Sequence, residues 1–281
     1  MKTIGFVDYY ISEWHANNYP TWIKEICEKS GKELEVKYAW AEEYVSPVDG
    51  RNTDEWCKAF GVTRCATLEE LCEKADYIVV LAPSNPEKHL EYVKTVFKYK
   101  KNTYVDKTFA PDAATAKAIF DEAEKYGTKF FSSSALRYAT ELDALLGANA
   151  VVTLGGGGSL DEYIIHQAEM LVKLVSARPT SVTAALKGKG QYVLDVEFEG
   201  GKCGTMIYGN GCDFAVCAEN DDGDSRYTGI ASPFFNNLLT DIIRFFEEGT
   251  TSFDVTETLY VMQVREAAVK ASQDLGKKIT I

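Results

Sequence analysis

Positive charge is in short supply: Lys and Arg number 30 against 42 Asp and Glu, a formal net charge of -12. Such a field repels phosphate backbones and anionic lipid, so neither nucleic acid nor a membrane surface is an expected partner. Histidine is scarcer, with 3 in the chain, and the 7 cysteines contain no C-x-x-C pair, so zinc-ligand spacings are missing and no metal site is expected. An odd number of thiols without paired spacing predicts free, mostly buried cysteines. No apolar run approaches the roughly 18 residues of a membrane span, and Met1-Lys2 leads into a strand-like segment interrupted by Asp8 rather than a signal-peptide core. A cytoplasmic protein is expected. Internal repeats of about 20 to 50 residues are missing too, which excludes a repeat architecture.

What is present is an ordinary globular composition, 281 residues with 46% hydrophobic and 26% charged. At roughly 150 residues per domain this predicts about two domains. In the first half short apolar runs alternate with amphipathic ones, the sequence form of βαβ units around a parallel sheet. Strands are expected at 4–7, 34–40, 77–81, 103–106 and 128–132. Helices are expected over 20–30, closed by Gly31, after a Thr67/Glu70 capping box, from Asn85-Pro86 to about Phe97, and over 112–126, closed by Gly127. After about residue 148 the rhythm becomes a strand at 149–154, a glycine loop at 155–158, a helix, strands near 181–186, 191–198, 203–209 and 213–218, and two closing helices. The fold class is α/β: a Rossmann-like domain over 1–133 and an α+β domain over 134–281, whose closing helix packs back on the first. No Pro/Ser-rich linker separates them, so a cleft between closely packed domains is the expected ligand site.

Four segments stand out in order: ADYIVVLAPSNPEKH ending at His89, YVDKTFA at 104–110, GGGSLDEYIIHQAE at 156–169, and the tail from Glu257 to Ile281. Together they resemble the Gfo/Idh/MocA oxidoreductases, the glucose-fructose oxidoreductase and inositol dehydrogenase group. The first is similar to that family's fourth strand with its small-residue, proline, polar turn. The second resembles V-E-K-P-[LMF]-A, with Asp106 for glutamate and Thr108 for proline. The third resembles G-G-G-x-L-x-D-x-G-x-H-x-x-D, with Glu162 and Glu169 at acidic positions and His166 at the histidine. The resemblance implies a Rossmann domain binding NAD or NADP, and a second domain with a large open, mostly antiparallel sheet through which homo-oligomers form. It also implies hydride transfer to or from a sugar, polyol or related small molecule. Lys107, His166 and Glu162 are the implied catalytic residues. Asp8, Tyr9, Tyr10, Ala82, Pro83, Ser84, His89, Asp106 and Lys107 are the implied cofactor contacts.

The residue chemistry is compatible with those roles. Oxidising an alcohol needs a base near neutral pH, which histidine supplies. On a helix Glu162 and His166 share a face, where the carboxylate either orients the imidazole or forms an ordinary surface pair. Lys107 falls at the carboxyl edge of a parallel strand, where open α/β sheets bind ligands, or is a solvated loop lysine. Arg137, after the serines 132–134, either clamps an anionic substrate or pairs with a glutamate; with Lys107 and His166 it completes the expected substrate contacts. His89 suits packing or capping better than chemistry, and His15 is weaker still. The glycines 155–158 suggest a flexible loop beside the substrate rather than a phosphate cradle.

The chief departure lies after strand one, where G-x-G-x-x-G is expected because glycines allow the tight turn and the approach of pyrophosphate. Counting back from His15 puts Val7, Tyr9 and Ser12 at the three glycine positions. Either a cofactor binds in an altered pose, or the protein is a non-redox sensor or regulatory relative that has lost dinucleotide binding. If a cofactor binds, Glu42 or Glu43 at the end of strand two favours NAD over NADP.

Overall fold

The structure, a computed structural model, describes residues 1–219 and 222–281 and divides the chain into two units. The first comprises Met1–Ser133 and Leu238–Val255. Its elements are β1 (Lys2–Tyr10), α1 (Trp14–Ser30), β2 (Leu34–Glu43), α2 (Thr53–Phe60), β3 (Thr63–Arg64), α3 (Leu68–Lys74), β4 (Tyr77–Val80), α4 (His89–Val96), β5 (Thr103–Val105), α5 (Ala113–Tyr126) and β6 (Phe130–Phe131). The strands are all parallel, in the order β3-β2-β1-β4-β5-β6. This is the doubly wound order in which the sequence reverses between β1 and β4, and ligands of such sheets bind at the carboxyl ends there. Residues 4–8 of β1 are buried on both faces, as a central parallel strand requires.

Several local differences from the sequence pattern matter for the site. Strand β1 continues to Tyr10, so Tyr9 and Tyr10 are strand residues rather than turn residues. Helix α1, expected from residue 20, starts at Trp14 because the extended Glu13 caps it with its own carboxylate, and Pro20 lies inside the helix. Helix α2 was not expected, although Asn52 and Glu55 form a full capping box and Gly61 closes it at φ 67°. The Thr67 box is only half formed: Thr67 accepts from the Glu70 amide, but the Glu70 carboxylate accepts from Ala66 N. Asn85 does not cap a helix; its side chain bonds Glu87, and a 3-10 turn at Pro86–Lys88 precedes α4. The segment Leu238–Val255, expected with the second domain, packs in the first unit, where Phe246 stacks on Tyr77 at 4.8 Å and Phe245 meets the edge of Phe131.

The second unit, Ser134–Asn237 and Thr256–Ile281, holds β7 (Ala150–Gly155), α6 (Leu160–Val175), β8 (Pro179–Lys187), β9 (Gln191–Phe198), β10 (Cys203–Tyr208), β11 (Ala215–Glu219), β12 (Ser225–Gly229), α8 (Glu257–Gln273) and β13 (Ile279–Thr280). Helix α7 (Phe234–Glu248) begins in this unit and continues into the first. Its mixed, mostly antiparallel sheet has the order β12-β11-β7-β10-β9-β8-β13, with β7 and β10 parallel. Strand β9 buries Leu194, Val196 and Phe198 and exposes Asp195 and Glu197, the alternation of a sheet with one covered face. Among the described residues no helix is long and apolar enough to cross a membrane, and no side-chain cluster could hold a metal. The cysteines are free; Cys27, Cys57, Cys65 and Cys72 are buried, and burial pushes the Cys72 thiol up to about 12.

Helix α3 lies directly on β1 because Gly5 has no side chain: a Cβ there would sit 2.7 Å from Leu71 Cδ2 and 3.0 Å from Ala75 Cβ. Gly5→Val is expected to destabilise the fold by about 1–3 kcal/mol through overpacking. Urea denaturation of the variant against the parent measures it, and an unchanged midpoint would refute the close packing.

Candidate functional site

At the carboxyl edge of the parallel sheet, ionisable side chains gather where hydrophobic ones would be ordinary. Asp8, near the end of β1, is 1% exposed, and its Oδ1 accepts from Tyr9 N (2.7 Å) and Ala82 N (3.0 Å). The second bond ties β1 to the turn after β4, across the point where the strand order reverses. Ala82 itself is left-handed, at φ 59°, followed by buried Pro83 and exposed Ser84. Asp8 Oδ2 is buried without a partner, and burial, reinforced by the Glu13 charge, raises the Asp8 carboxyl well above the ordinary carboxylate range. Tyr10 meets the ring of Tyr9 edge-on at 5.9 Å, and Lys88 Nζ lies 5.2 Å from the Tyr9 ring centre.

Asp106, at the end of β5, is the hub of this edge. Its Oδ2 binds His15 Nδ1, and its Oδ1 accepts from Tyr104 OH (3.2 Å) and from the Lys107 amide (2.9 Å). Burial alone would raise its carboxyl, but the adjacent His15 and Lys107 hold it below the ordinary value. The His15 ring stacks on Tyr19 at 5.1 Å. In the sequence His15 carries no signal beyond its register after the missing glycines. Lys107, half-buried, leaves this hub through a cis peptide bond to Thr108. His89 braces the same edge, its ring nitrogens facing the carbonyls of Phe109 and Leu81. Burial lowers the pKa of its imidazole, opposed by the two carbonyls that favour N–H on both ring nitrogens.

The β1–α1 turn does not fit a dinucleotide in the glycine-dependent pose. No glycine occurs between Gly5 and Gly31. At the first turn of α1, where a pyrophosphate would accept from backbone N–H groups, the Glu13 carboxylate accepts from His15 N (2.7 Å) and Ala16 N. Ser12 is pinned from the loop after β2, its hydroxyl donating to Asp49 and its carbonyl accepting from Ser46 Oγ, both at 2.7 Å. Glu42, one of the two glutamates expected at a ribose, is held by Lys88 and by Tyr92 OH.

In the second unit the expected histidine sits on α6, which Ser159 caps by accepting from the Glu162 amide. Glu162 is exposed and His166 half-buried. The imidazole Nδ1 lies 2.6 Å from Ser134 Oγ, a partner that sequence reasoning missed because Ser134 is 32 residues away. Ser134 N donates to Glu169 Oε2 (3.0 Å), Glu169 Oε1 receives Arg137 Nε, and Arg137 Nη2 reaches Glu257 (2.8 Å). Arg137 is thus the partner of two glutamates, the second of its two expected roles. Within the glycine loop a Cβ on Gly156 would lie 1.9 Å from the Gly209 carbonyl oxygen, and one on Gly157 would lie 2.1 Å from the Tyr163 ring, so these two positions are closely packed.

The first unit therefore has a Rossmann-like architecture, joined in sequence to an open-sheet unit. Residues 40–134 match the Gfo/Idh/MocA family model, described as an oxidoreductase family with an NAD-binding Rossmann fold; the match begins beyond the β1–α1 turn. No curated protein matches the sequence. Solved structures share the fold over nearly the whole chain. Myo-inositol dehydrogenase from Lactobacillus casei, in complex with NAD(H) and myo-inositol, is 11% identical over 100% of this chain and 96% of its own, with a TM-score of 0.81. Myo-inositol dehydrogenase from Corynebacterium glutamicum is 12% identical, covers 100% and 98%, and has a TM-score of 0.77. GenD2 from gentamicin A biosynthesis, in complex with NAD, is 15% identical, covers 100% and 97%, and has a TM-score of 0.74. The family resemblance read from the sequence is borne out.

Asp106→Asn removes the charge from a buried pair and is expected to cost about 3–5 kcal/mol at neutral pH. Because the folded-state pKa of Asp106 is depressed, its contribution is present above the ordinary carboxylate pKa and fades as pH falls through the folded value. Denaturation of both proteins across acid pH checks this; a gap that stays constant with pH would contradict it.

Proposed function

We propose that the chain is an oxidoreductase that transfers a hydride between a nicotinamide cofactor and a hydroxyl-bearing carbon of a sugar, polyol or related small molecule. The observation that carries this reading is Lys107 at the carboxyl end of β5, within the segment that matches the family model, on a sheet of doubly wound order. Lys107 and His166 are the groups that act on substrate. With Ser134 Oγ accepting from Nδ1–H, the His166 Nε2 lone pair takes the proton of the reacting hydroxyl and returns it in the reverse direction. The Lys107 ammonium supplies positive charge that stabilises an oxyanion developing on substrate. Glu162, four residues before His166 on the same helix, is its acidic orienting partner in this reading. Arg137 supports the site indirectly, by holding Glu169 and through it Ser134.

With Glu42 paired to Lys88, the exposed Glu43 beside it at the end of β2 is the acidic residue that supports NAD over NADP. The free cysteines support a reducing, cytoplasmic setting. The exposed face of the second sheet supports a homo-oligomer formed through it.

Turnover is followed by the absorbance of reduced nicotinamide across a panel of polyols and sugars. His166→Ala and Lys107→Met are each expected to lose about 10²–10⁴-fold in kcat while keeping the parent circular dichroism. Full activity in His166→Ala would show the base is misplaced. A parent protein that neither turns over nor binds NAD(H) or NADP(H) would instead favour a non-redox small-molecule sensor.

A further inference from the structure

The geometry points to Glu13 as the resident anion of the Rossmann unit: its carboxylate occupies the pyrophosphate position at the first turn of α1 and keeps dinucleotides from binding there. A helix N-terminus leaves several backbone N–H groups without intrahelical partners and attracts negative charge. In this chain that demand is already met from inside, by hydrogen bonds from His15 N and Ala16 N to a glutamate that is 7% exposed. A phosphate arriving at the same amides would have to displace the carboxylate or lie against it, and two anions in contact at a buried site repel strongly.

Three further observations make this more than a capping residue. Asp49 is hydrogen-bonded to Ser12 in the turn itself, adding a second carboxylate to that turn. Asp8 Oδ2 is buried and unpartnered close enough for the Glu13 charge to raise the Asp8 carboxyl, so the crevice contains acid rather than the open backbone a pyrophosphate needs. At the adenosine end, Glu42 is held by Lys88 and Tyr92, with the Lys88 ammonium also over the Tyr9 ring. Both anchor points of a dinucleotide are thus satisfied by the chain's own side chains. A cofactor used by this protein is held by other contacts.

Titration calorimetry of the full chain with ADP-ribose and with NADH tests this on the parent, Glu13→Gln and Glu13→Ser. Gln removes the charge but keeps a capping oxygen; Ser keeps a short cap and vacates the space, and thermal melts confirm that each variant folds. ADP-ribose affinity is expected to rise at least tenfold in Glu13→Gln, and further in Glu13→Ser. Affinity that is unchanged, weaker or undetectable in both folded variants would overturn the assignment. This outcome is separable from the proposed reaction: loss of polyol turnover in the parent bears on the reaction alone, whereas the gain in ADP-ribose binding needs no substrate.

Discussion

Three carboxyl groups buried at the carboxyl edge of the sheet, one of them paired with the His15 imidazole, constrain the rest of the first unit. In a poorly solvated region, neighbouring carboxylates cannot all ionise without a counter-charge. The fold resolves this by dividing the roles. Asp106 takes His15, which with Lys107 holds its carboxyl below the ordinary value, while burial raises the Asp8 carboxyl well above it and raises Glu13 against the opposing pull of His15 and of its two backbone hydrogen bonds. Each carboxyl also accepts from backbone amides: Asp8 from Tyr9 and Ala82, Glu13 from His15 and Ala16, Asp106 from Lys107. The ends of β1, β4 and β5 and the start of α1 are therefore fastened to one another by side chains. Glycine-rich turns leave such amides open for a ligand; here they are already used.

The second unit applies the same principle to a different end. Glu257, Arg137, Glu169, Ser134 and His166 form a continuous series of contacts from a closing helix to the imidazole. Arg137 is buried with its charge compensated, which is the condition under which a buried guanidinium is tolerated. Its consequence is positional: the carboxylate that neutralises it also fixes the Ser134 amide, and the Ser134 hydroxyl sets the ring of His166. The close approach of the loop after β7 to Gly209 and Tyr163 holds the start of α6 on the same unit.

Much of this architecture was legible in the linear pattern. Apolar runs such as 77–81 and the Gly31 and Gly127 stops mark strands and helix ends by local stereochemistry, and the structure places Gly31 at φ 70° and Gly127 at φ 67°. Lys107 was legible because the end of a buried parallel strand is a local signal. Helix α2 and strand β12 escaped notice because short elements carry little periodicity, and α1 was clipped because Pro20 resembles a helix start. Arg137 has two equally good readings in the sequence, and only its pairing with Glu169 and Glu257 across 32 and 120 residues separates them.

What the sequence determined alone is the α/β plan, the missing glycines after β1, and the residue types available for acid–base chemistry, since each follows from composition, periodicity or spacing along the chain. Tertiary structure decided which charges meet. Asp106 finds His15 across 91 residues, His166 finds Ser134 across 32, and Asp8 finds Ala82 across 74. Interactions between distant segments depend on how the strands are ordered and how deeply each group is buried, and neither quantity is encoded in any local window of the chain.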